Sequence, residues 1–213
     1  MRHYRQEDLQ KKLARLEIYP LDVIVTGVTG AGKSTTINSF FCEDIATVGK
    51  GVNPETMNLD GYKISKFFRI WDTPGLGDGV ENDLLHAKKL IQLMHETYSA
   101  NEKEYGFIDL VLVILDGGSR DLGVTYKLLN EIIVPNFHKS RILIALNQAD
   151  MAMKGRQWCH KSNSPKAKLI QFLEDKCASI QERIYDTSGV KVVKPVYYSA
   201  EYNFNIDQLF DHI

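Results

Sequence analysis

Residues 27–34 read Gly27-Val28-Thr29-Gly30-Ala31-Gly32-Lys33-Ser34, a complete G-x-x-x-x-G-K-S motif. The motif lies between the apolar run Leu21–Thr26, which reads as a strand, and Thr35–Phe40, which reads as a helix start. A loop of this kind works only where a strand hands over to a helix N-terminus, so it dictates an α/β layer arrangement around it. Gly27, Gly30 and Gly32 let the backbone wrap an anion. The amides of the loop, Thr29 and Ala31 included, and of the helix start at Thr35 point at that anion. Lys33 reaches the β- and γ-oxygens of a bound triphosphate, and Ser34 is placed to ligate Mg²⁺. A glycine-rich turn with a chance Lys-Ser is the bland alternative, and the flanking strand and helix argue against it. A nucleoside triphosphate is the expected ligand.

At 213 residues and 44% hydrophobic, the chain can bury one substantial core, and a single main domain is expected. The net charge of −1 provides no global field toward nucleic acid or anionic membrane. No apolar stretch approaches the roughly 20 residues that span a bilayer, and Met1–Asp8 lacks the apolar core of a secretion signal. Cys42, Cys159 and Cys177 are odd in number and widely spaced, which suits a reducing cytoplasm rather than a disulfide framework. Cys159-His160 has no second ligand pair beside it and reads as a loop thiol next to a loop imidazole.

Short β-rich runs alternate with helical stretches. The expected fold is a three-layer α/β domain: a mostly parallel six-stranded sheet with one antiparallel edge strand and helices on both faces. Two strands near Met57–Ile64 and Phe67–Trp71 form a hairpin, its turn at Asp60-Gly61 or at Ser65-Lys66. Leu84, Ile91, Met94 and Tyr98 mark one helix. Ile108–Leu115 and Ile142–Leu146 read as buried parallel strands. Asp121 caps a helix through Leu122, Tyr126, Leu129 and Ile133 that stops before Pro135. Ser164-Pro165 opens a long helix with the stripe Leu169, Leu173, Cys177, Ile180 and Ile184. Val192–Tyr198 is the last strand, near an edge because of Pro195. Leu9, Leu13 and Leu16 mark an amphipathic helix over residues 1–20, expected to pack on the domain of residues 21–213. Ile206, Leu209, Phe210 and Ile213 begin a final helix that is expected to be cut short, its parent chain continuing.

Four further segments bear on the chemistry. Trp71-Asp72-Thr73-Pro74-Gly75 ends a strand beside the phosphate loop. There Asp72 can hold Mg²⁺ through a water, and the Gly75 N–H can meet a γ-phosphate oxygen. Thr56, in the polar connection Glu43–Pro54 and beyond, can ligate Mg²⁺ when a γ-phosphate is present. Asn147-Gln148-Ala149-Asp150 closes a strand, and the Asp150 carboxylate can accept from N1–H and the exocyclic amine of guanine. Adenine offers no such donor pair, so an unpaired buried carboxylate would penalise it. Ser199-Ala200 follows the last strand, where a backbone N–H can meet guanine O6.

With these five motifs in this order, residues 21–210 resemble the translation-factor-related GTPases of the Era-like branch. Asp-Thr-Pro-Gly followed by Leu76-Gly77-Asp78-Gly79, with Asn-Gln-Ala-Asp later, is most similar to the YfjP/YeeP-type bacterial GTP-binding proteins, relatives of Era and the tRNA-modification GTPase MnmE. The resemblance implies a Mg²⁺-dependent switch that takes GTP to GDP, with Lys33, Thr56 and Gly75 around the reacting phosphate. Ribosome or RNA partners, and a homodimer through the same domain, are implied by the resemblance alone. The sequence departs from the pattern in three places. Gln148 stands where Lys is usual, Leu76 stands where Ras-like proteins have a water-orienting Gln, and Gly30 offers no ligand for a catalytic potassium ion. Slow hydrolysis without a partner is therefore expected, and a nucleotide-dependent assembly module with negligible turnover is the alternative. A basic cluster, Lys154, Arg156, Lys161, Lys166 and Lys168, follows the base motif.

Overall fold

The computed structural model describes residues 7, 11–15, 20–40, 60–65, 68–77, 79–100, 102–119 and 122–213. Its centre is a six-stranded sheet in the order β10-β7-β6-β1-β3-β2. Strands β1 (Leu21–Gly27), β3 (Phe68–Asp72), β6 (Leu110–Asp116), β7 (Ile142–Asn147) and β10 (Val196–Tyr197) run parallel. β2 (Asp60–Ser65) pairs antiparallel with β3 at the edge. Asp60-Gly61 lies inside that pairing, and Ser65 pairs with Phe68.

Helices cover both faces, and the alternation along each central strand explains why. Ile24, Val111, Val113, Leu115, Ile142 and Ile144 pack on one side with α3 (Val80–His95) and α6 (Ala167–Ser188). Val23, Val25, Leu112, Ile114, Leu143 and Ala145 pack on the other with α2 (Lys33–Ser39) and α7 (Ile206–His212). Buried parallel strands lose the polar/apolar alternation because both faces are dry. Leu13, in the helical residues 11–15 (α1), is buried in the second cluster. Phe210 meets Phe40 and Phe68 edge-on. The stripe Leu169, Leu173, Cys177, Ile180 and Ile184 is buried throughout, and burial pushes the Cys177 thiol up to about 12.

Four local expectations are corrected. Ser164-Pro165 does not open α6: it forms β9, paired with β8 (Trp158–Cys159), and α6 starts after Lys166 without a side-chain cap. The helix from α4 (Gly123–Lys127) does not stop before Pro135. It widens into a π-turn over Leu128–Ile133 and continues as α5 (Val134–Asn136). The Val134 N–H reaches back to Leu129 O, and this wide turn admits a proline that has no N–H to give. In α3 the buried positions are Leu90, Leu93 and Met94, while Leu84 is exposed. Tyr98 belongs not to that helix but to the hairpin of β4 (Thr97–Ala100) and β5 (Lys103–Gly106), where it stacks on Tyr105. Asp121 and the connection Glu43–Pro54 lie outside the described residues.

Candidate functional site

The sheet order reverses at β1, with β3 on one side and β6 on the other. Open α/β sheets form their crevice at the carboxyl ends of the strands where order reverses. The phosphate loop leaves β1 at that end. Gly27 is needed because a Cβ there would lie 2.3 Å from Ile114 O of the neighbouring strand. Gly32 adopts a left-handed φ of 83° as the N-cap of α2, and a Cβ on it would lie 2.3 Å from Asn147 Nδ2. Lys33 Nζ folds over the loop within 3.3 Å of Gly27 O and 3.2 Å of Val28 O.

The segment after β3 lies against this loop. Thr29 N–H donates to Leu76 O (2.9 Å), and Leu76 N–H approaches Gly27 O (3.4 Å). A Cβ on Gly75 would lie 2.5 Å from Thr29 Oγ1 and 2.8 Å from Lys33 Nζ, so only glycine brings this backbone so close to the Lys33 ammonium. Leu76 is buried and offers no polar atom. Two α3 residues not foreseen as site residues hold the segment: His86 donates Nδ1–H to Gly75 O (3.2 Å), and Asp83 Oδ1 accepts from Gly77 N–H (2.8 Å). Asp72 closes β3 at the same end, half-buried. Ser34 sits in the first turn of α2. Arg69 is at the opposite end of β3, forked onto the buried Asp22 carboxylate at 2.6 and 2.5 Å. Thr56 lies outside the described residues.

The base side is built around Asn147. Its Nδ2 donates to Ala31 O (2.9 Å), and its Oδ1 accepts from Ala200 N–H (3.0 Å). One buried amide thus joins β7, the phosphate loop and the loop after β10. Gln148, at φ 58°, donates Nε2 to Gly30 O at 2.7 Å. It makes with a neutral donor the brace that a lysine ammonium would make with a charge. Asp150 is buried, and its Oδ1 has no hydrogen-bond partner among the described residues. The Ser199 N–H donates to Phe204 O (3.1 Å) and the Ala200 N–H to Asn147 Oδ1 (3.0 Å). Those two residues shape the base loop from within.

Two buried supports were not legible in the motifs. Thr36 Oγ1 donates to Gly32 O (2.8 Å) and lies 2.7 Å from Tyr198 Oη, so the tyrosine hydroxyl donates to it. This chain ties the end of β10 to the phosphate loop. Burial pushes the Tyr198 phenol well above its ordinary value. Lys176 of α6 donates to Gly117 O (2.8 Å) and Ser119 O (2.7 Å), fixing the loop whose Gly117 N–H bonds Asn147 O. Burial lowers the Lys176 pKa, against the pull of Asp116.

Residues present here fit a guanine nucleotide with Mg²⁺. The buried Asp150 oxygen, without a hydrogen-bond partner among the described residues, suits paired donors on a base edge, and a Cβ at Gly30 would meet nothing within 4 Å. The described residues contain no cluster of three His, Cys, Asp or Glu. Mg²⁺ needs none, because it is held by one or two protein oxygens plus substrate phosphates. No helix among the described residues is long and apolar enough to cross a membrane.

A family described as 50S ribosome-binding GTPase matches residues 22–148. GTPase Der of Bartonella bacilliformis is 24% identical over 205 residues, covering 92% of this chain and 36% of that protein. The tRNA modification GTPase MnmE of Bacteroides thetaiotaomicron is 28% identical over 135 residues, covering 61% of this chain and 26% of that protein. The chain thus spans between about a quarter and a third of the length of these relatives. Among solved structures, Toc33 from Arabidopsis thaliana in complex with Mg²⁺ and GMPPNP shares the fold, with a TM-score of 0.60 at 21% identity over 94% of this chain and 80% of that one.

Proposed function

The chain belongs to the 50S ribosome-binding GTPase family, and from that premise we propose that it binds GTP with Mg²⁺ and hydrolyses it slowly to GDP and phosphate as a molecular switch. The observation that carries the guanine reading is the buried Asp150 carboxylate oxygen, unpartnered among the described residues, at the end of a base motif braced on the phosphate loop. Lys33 and the loop amides offset charge on the β–γ bridge, and positioning with charge neutralisation is most of phosphoryl transfer. Mg²⁺, held by Ser34, by Asp72 through a water and by Thr56, would supply further charge neutralisation. The Gly75 backbone lies against Lys33, and its N–H would meet a γ-phosphate oxygen there.

Leu76 is the reason to expect slow turnover: a buried aliphatic side chain cannot orient water, and Arg69 is engaged elsewhere by Asp22. It also favours the second reading, a nucleotide-dependent assembly module with negligible intrinsic turnover. The Leu76-Gly77-Asp78-Gly79 continuation and the Gln148 base motif support a place near the YfjP/YeeP-type proteins. A cytoplasmic setting is proposed from the cysteine usage. Helix α1 and the final helix α7 are assigned to this one domain on the burial of Leu13 and Leu209.

The test is competition of GDP, GTP and ADP against a fluorescent GDP analogue, with Mg²⁺, on wild type and Asp150→Asn. Displacement by GDP and GTP but not ADP, with that preference reduced at least about tenfold in the variant, is expected from the loss of a charged acceptor. Equal displacement by ADP would overturn the guanine reading. Single-turnover hydrolysis across protein concentrations separates the two readings, since a rate rising steeply with concentration means that a second copy completes the site.

A further inference from the structure

We propose that His86 and Asp83 set the discrimination between GDP and GTP, by holding residues 75–77 in the place that a γ-phosphate has to enter. The inference rests on the guanine-nucleotide reading above and concerns which of the two ligands the site prefers. It begins at Thr29 and Lys33, two groups that face an anion in a loop of this kind. The Thr29 N–H donates to Leu76 O (2.9 Å) and the Leu76 N–H approaches Gly27 O (3.4 Å), so Val28 and Leu76 form a parallel bridge. That bridge carries the β1–β3 pairing past Asp72 and over the phosphate loop. The point where a Cβ of Gly75 would stand lies 2.8 Å from Lys33 Nζ and 2.7 Å from Thr29 N. A phosphate oxygen accepting from either group needs such a distance. The same point is about 1.5 Å from Gly75 Cα, one bond length, whereas non-bonded atoms need roughly 3.5 Å. A phosphate oxygen and the docked segment therefore exclude each other there. The α- and β-phosphates lie in the cradle of loop amides at the start of α2, so the third phosphate is the one concerned. The Gly75 N–H can serve it only once that backbone has drawn back.

Three attachments keep the segment docked. Leu76 is buried in the apolar cluster that contains Leu90 and Leu93 of α3. The His86 Nδ1–H donates to Gly75 O (3.2 Å), and Asp83 Oδ1 accepts from Gly77 N–H (2.8 Å). Gly77, at φ 109°, turns the chain from the bridge toward α3, and the Asp83 N–H bonds Gly79 O (2.9 Å) to close that turn. His86 and Asp83 are three residues apart and so share one face of α3. The second half of α3 is fixed by buried Leu90, Leu93 and Met94, which leaves the segment, not the helix, to yield. The Asp83 bond is exposed and the His86 bond half-buried, so water can replace both when the segment lifts. Both side chains act on the nucleotide through the segment, as positioning residues. Bonds made only in the docked arrangement reduce the fraction of molecules ready for GTP, and its apparent affinity with it, while leaving GDP unaffected.

The experiment measures binding of mant-GDP and mant-GMPPNP, with Mg²⁺, by stopped-flow fluorescence on wild type, His86→Ala, Asp83→Ala and Asp83→Asn. Wild type is expected to bind the diphosphate more tightly. Each alanine variant is expected to gain roughly fivefold in mant-GMPPNP affinity, mainly through faster association, while its mant-GDP affinity stays within about twofold of wild type. Asp83→Asn keeps an accepting oxygen and is expected to discriminate as wild type does. Equal affinity of wild type for the two nucleotides, or discrimination unaltered in the alanine variants, would overturn the proposal. So would a parallel loss of both affinities in those variants, which would make the two residues supports of the fold. Failure of wild type to bind mant-GDP at all would refute the guanine-nucleotide reading and this inference with it, whereas tight mant-GDP binding with unaltered discrimination would refute this inference alone.

Discussion

At the scale of the residue, the nucleotide site depends on contacts that its motifs do not spell out. Tyr198 and Thr36 are 162 positions apart in sequence, yet one buried hydrogen bond of 2.7 Å joins them. A buried hydrogen bond is worth about 1 kcal/mol, so Tyr198→Phe should weaken GDP binding roughly fivefold if the bond holds the phosphate loop in its binding shape. Thr36→Ser keeps both hydroxyl contacts and should bind as wild type, and Tyr198→Phe/Thr36→Val should be no weaker than Thr36→Val alone, since the two changes remove one shared bond. Additive losses in GDP titrations would refute a shared role. The phosphate-loop glycines, Lys33, Asn147 and Asp150 were legible because each belongs to a short motif with fixed chemistry. Thr36, His86 and Lys176 were not, because their roles arise only when distant elements meet. Gln148 shows the limit in the other direction: its departure from lysine was evident, but its neutral brace to Gly30 O needed the folded chain.

At the scale of the element, the buried strands and the α6 stripe followed from apolar period, and the misreadings cluster at element ends. Ser164-Pro165 carries the signature of a helix start, but pairing with Trp158–Cys159 claimed it for a hairpin. Pro135 signals a stop that the π-turn before it relieves. The β4–β5 hairpin was missed because Tyr98 also fits the period of α3. The sheet end away from the nucleotide carries its own polar cluster. There Asp22 accepts from Arg69 and from Trp71 Nε1 (2.8 Å), and its N–H donates to Asp109 Oδ2 (2.9 Å). Burial first, and the nearby Asp22 charge after it, raise the Asp109 pKa against that backbone hydrogen bond. A carboxyl raised on folding favours the native state when protonated, so its contribution is lost as pH rises from its ordinary value through the raised one. Asp109→Asn keeps the accepting oxygen and removes the charge. Its melting temperature relative to wild type should therefore increase from pH 4 to pH 7, and a difference that stays flat or falls over that range would refute the assignment.

At the scale of the whole molecule, two apolar clusters on opposite sheet faces hold the strands, and one buried polar side chain, that of Asn147, ties together the loops at their carboxyl ends. Its side chain bonds the phosphate loop with one atom and the base loop with the other, and its backbone oxygen accepts from Gly117, so three loops converge on one buried residue. Asn147→Ala would strand the Ala31 carbonyl and the Ala200 amide. Each buried polar group left unsatisfied costs about 1–3 kcal/mol, and about 1 kcal/mol moves the melting temperature of a domain this size by roughly 2–4 °C. Nucleotide-free Asn147→Ala should therefore melt at least about 4 °C below wild type. A ligand that binds only the native state raises stability with its concentration, so saturating GDP should stabilise wild type by several degrees and the variant by less. The two readings come from one melting series. A variant that melts as wild type without nucleotide but loses the GDP shift would make Asn147 a ligand contact alone; one that loses stability before any nucleotide is added would make it the strut on which the site is assembled, the outcome its three partners predict.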